Sequence, residues 1–183
     1  MKELIKLAAL IRERNQLERD ITAVIGRPAE IGHIGEFIAS KIFQIELETS
    51  ASKKSLDGHF IGGNLKRKSV NIKWYAKRES ILDITPDSLP DYYLALTGPK
   101  SSTTSSRGQT RPWVIDSAFL FESKALLAEL KIAGTKVGTA TSVRKAIWKK
   151  AEIYPDQKSN LLILSKEQRE ALALFSLARL SGD

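Results

Sequence analysis

The sequence has no cysteine, so disulfides, thiolate–metal sites and cysteine nucleophiles are all excluded. It has no Gly-x-x-x-x-Gly-Lys phosphate loop and no Gly-x-Ser-x-Gly elbow, and its glycines at 32, 35, 58, 62 and 63 do not spell a dinucleotide fingerprint. No run approaches the ~18 apolar residues of a spanning helix. The first apolar stretch is broken by Lys6, Arg12 and Glu13 before it could serve as a secretory leader. A soluble protein of the cytoplasm, away from any membrane, is the expectation. Internal repeats and low-complexity tracts are missing too.

Acid is in short supply. Lys and Arg number 29 against 21 Asp and Glu, a net charge of +8. Residues 53–78 hold Lys53, Lys54, Lys66, Arg67, Lys68, Lys73, Lys77 and Arg78, with Asp57 the lone acid, a net of +7. Such a window attracts polyanions, nucleic acid first among them, although a solvated hairpin would show the same composition. The 183 residues suit a single domain, 1–183. With 42% hydrophobic residues the chain can build a core without staples.

Periodicity predicts a helix over about 2–25, from Leu4, Leu7, Ile11, Ile21 and Ile25, stopped by Gly26-Arg27-Pro28. Its charged middle, Arg12 to Asp20, leaves two arrangements for segment 1–26. It packs at its two ends, or it pairs with a second copy in a homodimer. A second helix is predicted over 32–47, with Ile34, Phe37, Ile38, Ile42 and Ile45 as its stripe. On that helix Phe43 and Leu47 follow Glu36 at i+7 and i+11, so the face of Glu36 is partly covered.

Strands are predicted at 56–61, 70–75, 91–97, 113–121, 135–139 and 161–164. Helices are predicted at 122–132, from an N-cap at Ser142, and from an N-cap at Ser165. Between strands, 98–112 reads as a surface loop carrying Lys100, Arg107 and Arg111. The order predicts an α/β (α+β) protein with a mixed sheet flanked by helices.

The segment most able to do chemistry is Leu56-Asp57-Gly58-His59 followed by Val70-Asn71-Ile72-Lys73. Alternation puts Val70, Ile72 and Trp74 on one face and Asn71, Lys73 and Tyr75 on the other. Asp57 and His59 share a face of the preceding strand, so the polar faces of two paired strands can converge. Phosphodiester cleavage needs a hard cation on oxygen ligands, an activated water, and a positive group to orient it and meet the developing charge. Each residue also has a plainer reading. Asp57-Gly58 is a common turn pair, Lys73 suits a solvated strand and Asn71 a loop cap. Glu36 suits a polar helix face, and His33 with Glu36 at i, i+3 the same. His59 is either a general base near Asp57 or a phosphate contact. Of the three tryptophans, all near Lys or Arg, at least two are expected in the core.

These residues resemble the PD-(D/E)xK, or restriction-endonuclease-like, superfamily of nucleases. Gly35-Glu36-Phe37-Ile38-Ala39 matches its helical glutamate, Asp57 its metal-binding aspartate, and Asn71-Ile72-Lys73 stands in the place of its D/E-x-K tripeptide. The likeness runs from His33 through Leu96. It implies a nuclease that hydrolyses phosphodiester bonds in DNA with Mg²⁺ or Mn²⁺. Asp57, Glu36 and Asn71 would hold the metal, and Lys73 would be the catalytic lysine. The carbonyl of Ile72 would be a further ligand, and Lys53, Lys54, Lys66, Arg67, Arg107 and Arg111 would contact phosphates. The departure is Asn71, an uncharged amide where the pattern has a second acid. A rival reading is a nucleic-acid-binding protein that kept the fold and lost catalysis; another is a protein-interaction module built on the first helix.

Overall fold

The structure is a computed structural model and describes residues 1–49, 55–78, 80–100 and 111–180. Lys53, Lys54 and Arg107 lie outside the described residues.

Helix α1 covers Lys2–Ile25 and ends at Gly26 in the left-handed conformation (φ 71°). Helix α2, Ile31–Phe43, is shorter than the sequence suggests. Gln44 turns left-handed (φ 55°), and Ile45–Leu47 leaves as strand β1. The alternating Ile-Glu-Leu there pairs with the next strand more favourably than it would continue the helix, so Leu47 is not on the helix that carries Glu36, whose side chain is nonetheless mostly covered.

Strand β2 is Gly58–Phe60, followed by a single 3-10 turn at Gly63–Leu65. Strand β3 is Ser69–Tyr75 and β4 is Ile81–Leu82. Strands β5 and β6 are Tyr92–Thr97 and Ser117–Glu122, with helix α3 over Ser123–Ile132. Then come β7 (Thr141–Ser142), α4 (Lys145–Ala151), β8 (Glu152–Tyr154), α5 (Lys166–Ala173) and α6 (Leu177–Leu180).

The main sheet is six-stranded, in the order β1-β2-β3-β5-β6-β8. All neighbours are antiparallel except β3 and β5, which run parallel. The predicted mixed α/β class is what forms. Alternation along the central strands feeds two cores. On one face Val70, Ile72, Trp74, Leu94, Leu96 and Leu120 meet Ile38, Ala39, Ile42 and Phe43 of α2. On the other, Tyr93, Ala95, Phe119 and Phe121 meet Leu126, Leu130, Ile147 and Trp148.

Several local expectations give way. Trp113 to Ile115 stays outside β6, because Val114 and Ile115 are buried by loop packing and the Ile115 amide donates to the Phe175 carbonyl instead of to a neighbouring strand. The short strand expected at 135–139 forms later, as β7 against β4. Ser142 belongs to that strand rather than capping α4, whose N-cap is Arg144. Residues 161–164 form a bend followed by irregular backbone, not a strand, and the sheet's last position goes to β8. Ser165 caps α5 as expected, with Gln168 closing a capping box.

Helix α1 buries none of its residues. Leu4, Leu7, Leu10, Ile11, Leu17 and Val24 are all exposed. Among the described residues no helix is long and apolar enough to cross a membrane.

Candidate functional site at the β2–β3 junction

Gly58 faces Val70 across the β2–β3 pair, and the N–H of Asp57 also donates to the Val70 carbonyl, at 3.0 Å. Two residues thus oppose one, a bulge, and bulges re-aim the side chain next to them. The Asp57 carboxylate turns along β3 and accepts the Ile72 N–H at 2.6 Å. Gly58 is no turn residue. It lies in mid-sheet between Leu47 and Val70, where a Cβ would stand 2.4 Å from the Glu46 carbonyl oxygen. Glycine is there because β1 approaches too closely for any side chain.

Helix α2 delivers Glu36 by the same device. A Cβ on Gly35 would lie 2.9 Å from Cβ of Trp74, so the helix backbone rests directly on β3. Glu36 then reaches the neighbourhood of Asp57, and its carboxylate is ion-paired with Arg27. Burial is the main cause that pushes the Asp57 carboxyl above its ordinary range. The Ile72 N–H pulls it down, Glu36 pushes it up, and Lys73 and Arg27 pull it down again. Two acids and two cations from four places in the sequence therefore share one electrostatic neighbourhood. Lys73 is half-buried and makes no hydrogen bond or ion pair among the described residues.

Asn71 is 2% exposed, and its Oδ1 is buried without a hydrogen-bond partner. A buried orphan acceptor costs about 1–3 kcal/mol, so its presence on the strand that Asp57 grips calls for a physical reason. Asn71 is not a loop cap. It lies in register with Tyr93 in the parallel pair.

Other sequence candidates are drawn elsewhere. Nδ1 of His59 lies 3.2 Å from the Glu48 carboxylate, so His59 serves the β1–β2 edge instead of Asp57. Nδ1 of His33 is 3.0 Å from the Pro28 carbonyl, which fixes the turn before α2 instead of sharing a metal with Glu36. Tyr75 donates to the Asp83 carboxylate (3.3 Å) and accepts the Asp83 N–H (3.0 Å), a structural tie. Trp74 and Trp148 are core residues, as expected, and Trp113 is exposed.

Among the described residues the basic window divides into two groups. Lys66 and Arg67 are exposed before β3 begins, and Lys77 and Arg78 follow its end. At about 3.3 Å per residue the seven residues of β3 hold the two groups roughly 20 Å apart, with Lys73 between them. Arg111 is exposed near Trp113. A cavity of about 790 Å³ lies between the end of α2, the 62–65 turn and α5, and includes none of Glu36, Asp57, Asn71 or Lys73.

Arg27 is the site residue that sequence reasoning missed. Set between Gly26 and Pro28, it reads as punctuation; its one signal is a charge in a rigid turn directly before the helix that bears Glu36.

The donors near Asp57 are oxygens, the Asp57 and Glu36 carboxylates, and the buried orphan Oδ1 of Asn71 is a further oxygen on the adjoining strand β3. Oxygen donors of this kind fit a hard divalent cation. Among the described residues, however, no three His, Cys, Asp or Glu side chains come together as a metal-holding group. No protein-family model matches the chain, and no curated protein matches it either.

Proposed function

We propose that the chain is a divalent-metal-dependent nuclease acting on DNA, with its site where β2 diverges from β3. One observation carries this reading. A helix, a strand opened by Asp57 and the next strand deliver Glu36, Asp57 and Lys73 to one place, in the order the resemblance implies. Asp57, Asn71 and Glu36 would hold the cation, which when bound would neutralise charge on the scissile phosphate. Lys73, a cation with no partner among the described residues, is available to orient a water and to meet negative charge on the phosphate oxygens. The bulge at Asp57 keeps its carboxylate aimed along β3, and Lys66, Arg67 and Arg111 offer phosphate contacts on the flanks.

The test is nicking of supercoiled DNA with Mg²⁺, Mn²⁺ or EDTA, together with binding on the same substrate. Lys73→Ala should lower cleavage by ~100-fold or more and leave binding nearly intact, since one phosphate contact among several is lost. Binding itself should fall steeply with salt, with a log–log slope of roughly −4 to −5 for about 4–6 phosphate contacts. Undiminished cleavage by Lys73→Ala removes the lysine from the reaction.

A second reading is favoured by two specific features. The Arg27–Glu36 ion pair occupies one acid, and Asn71 replaces the other. A protein that binds DNA without cutting it would show the same salt slope and no metal-dependent nicking. Pairing of α1 with a second copy belongs to either reading, because Leu7, Leu10, Leu17, Ile21 and Val24 recur at spacings of three, four and seven with none of them buried. Light scattering on the full chain and on Leu10→Glu/Leu17→Glu would decide it; equal masses for the two proteins would exclude the pairing.

A further inference from the structure

Four buried side-chain polar atoms lack a partner among the described residues: Asn71 Oδ1, Thr97 Oγ1, Ser123 Oγ and Trp148 Nε1. Two of them, Thr97 and Trp148, line one small cavity of about 190 Å³, together with Tyr75, Lys77, Arg78 and Ile81. Thr97 is wholly buried at the end of β5, and Trp148 is 3% exposed on α4. The Trp148 ring cannot swing to find another partner, since it is held edge-on by Phe119 and Phe121, with centroids 4.8 and 4.9 Å away.

We propose that this cavity binds a phosphate group, as inorganic phosphate or as the terminal phosphate of a nucleic-acid strand. The indole N–H can only donate, and the Thr97 hydroxyl can donate. Arg78 lies over the Phe119 ring at 5.4 Å, and its guanidinium makes no ion pair among the described residues. The acids nearby are committed or discouraged. Asp83 takes the Tyr75 hydroxyl and the Ala140 N–H. Glu152 has its carboxyl pushed up first by burial and then by Asp156, with Arg78, Lys158 and Lys149 pulling it down less than these raise it. What remains is a set of donors with positive charge at the rim, complementary to an acceptor-rich anion. The donors come from three elements, β5, α4 and the turn after β3. Donors from several elements suit an ion whose oxygens accept in more than one direction, as those of phosphate do. The site draws on none of Glu36, Asp57, Asn71 or Lys73, so it stands apart from the nuclease reading.

The experiment follows the three indole N–H signals by NMR, on the full chain in EDTA, while inorganic phosphate replaces chloride at constant ionic strength. The Trp148 signal should shift saturably. That of Trp74, bonded to the Val114 carbonyl at 3.1 Å, should stay. Thr97→Val and Arg78→Gln should each weaken binding at least about 10-fold, the weight of one hydrogen bond to a charged group. Thr97→Val should not harm folding, since it removes a buried hydroxyl that has no partner. In a second arm, a short single strand with a 5′-phosphate is compared with its 5′-hydroxyl counterpart. A preference for the phosphorylated strand identifies a strand end as the source, and equal binding of the two beside saturable inorganic phosphate identifies the free ion. Two results overturn the proposal: no saturable Trp148 shift with either probe, which leaves a hydrated cavity, or undiminished phosphate affinity in Thr97→Val and Arg78→Gln. Because EDTA precludes metal-dependent cleavage, failure here and failure of the nuclease reading are separate results.

Discussion

Asp57 and Asp91 both accept a backbone N–H of the same strand, yet their carboxyls are displaced in opposite directions. Asp91 takes the Ser69 N–H and hydroxyl, each at 2.9 Å, and lies 3.4 Å from the Lys68 ammonium. Burial is the largest single cause and pushes it up, but the two Ser69 bonds and the Lys68 ammonium together outweigh burial and hold it below the ordinary carboxylate range. Asp57 takes the Ile72 N–H at a shorter distance, but burial outweighs that bond and the Glu36 charge adds to burial. One carboxylate ties the start of β3 to the start of β5 and is stable as an anion. The other is held as an anion at a cost, and such groups cluster where an ion or a reaction uses them.

The comparison is broken most forcefully by adding a charge on the strand that Asp57 grips. Asn71→Asp keeps the size of the side chain, which matters at 2% exposure. Without a cation the new carboxylate is a buried, uncompensated charge and should cost about 3 kcal/mol or more. With Mn²⁺ present, two carboxylates facing one ion should recover most of that loss and tighten metal binding. Melting temperatures with and without Mn²⁺ read both effects. An equal loss in the two conditions would make Asn71 a structural amide and remove it from the ligand set.

Removing the strained charge has a smaller effect, of opposite sign. A carboxyl whose folded pKa is raised contributes stability below its unfolded pKa and loses it as pH rises through the folded pKa. Asp57→Asn should therefore gain stability over the wild type as pH climbs from the acid range to neutrality, while the amide oxygen still accepts the Ile72 N–H. A bound divalent cation favours the carboxylate, so saturating Mn²⁺ should shrink or reverse the difference. Denaturant midpoints across pH, with and without Mn²⁺, test this; a difference that does not change with pH would contradict the raised carboxyl of Asp57.

The elements that carry this chemistry were legible because side-chain alternation and helical spacing are local. The span of α1, the segregation of Val70, Ile72 and Trp74 from Asn71 and Lys73, and the Ser165 cap all follow from neighbours within a few residues. What stayed hidden depends on distant partners. The helix predicted through Leu47 ends at Phe43 because β1 finds a partner in β2. The aim of Asp57 rests on a bulge that no alternation pattern encodes, and the pairing of His59 with Glu48 rests on the β1–β2 register. Residues 53–78 look like one basic patch because a composition window cannot show that β3 separates its two halves. The cavity at Thr97 and Trp148 joins the end of β5 to a helix some fifty residues later, beyond the reach of any motif.

The smallest expected effect lies at the other carboxylate. Asp91→Ala removes the acceptor of the Ser69 N–H and hydroxyl, but its side chain is 40% exposed and water replaces part of what is lost. After that screening the cost should be about 1 kcal/mol, or roughly 2–4 °C in melting temperature for a chain of this size. The sign of its pH dependence is opposite to that of Asp57. A carboxyl held low contributes stability above its unfolded pKa and loses it as pH falls through the folded pKa. The gap between wild type and Asp91→Ala should therefore be widest near neutrality and narrow in acid, where Asp57→Asn converges with wild type from the other side. Measured together, the two variants should bracket the wild-type melting curve at neutral pH and metal-free conditions. If both fell below it, the Asp57 carboxylate would be a stabilising anion like Asp91, and the physical distinction between the two ends of β3 would be lost.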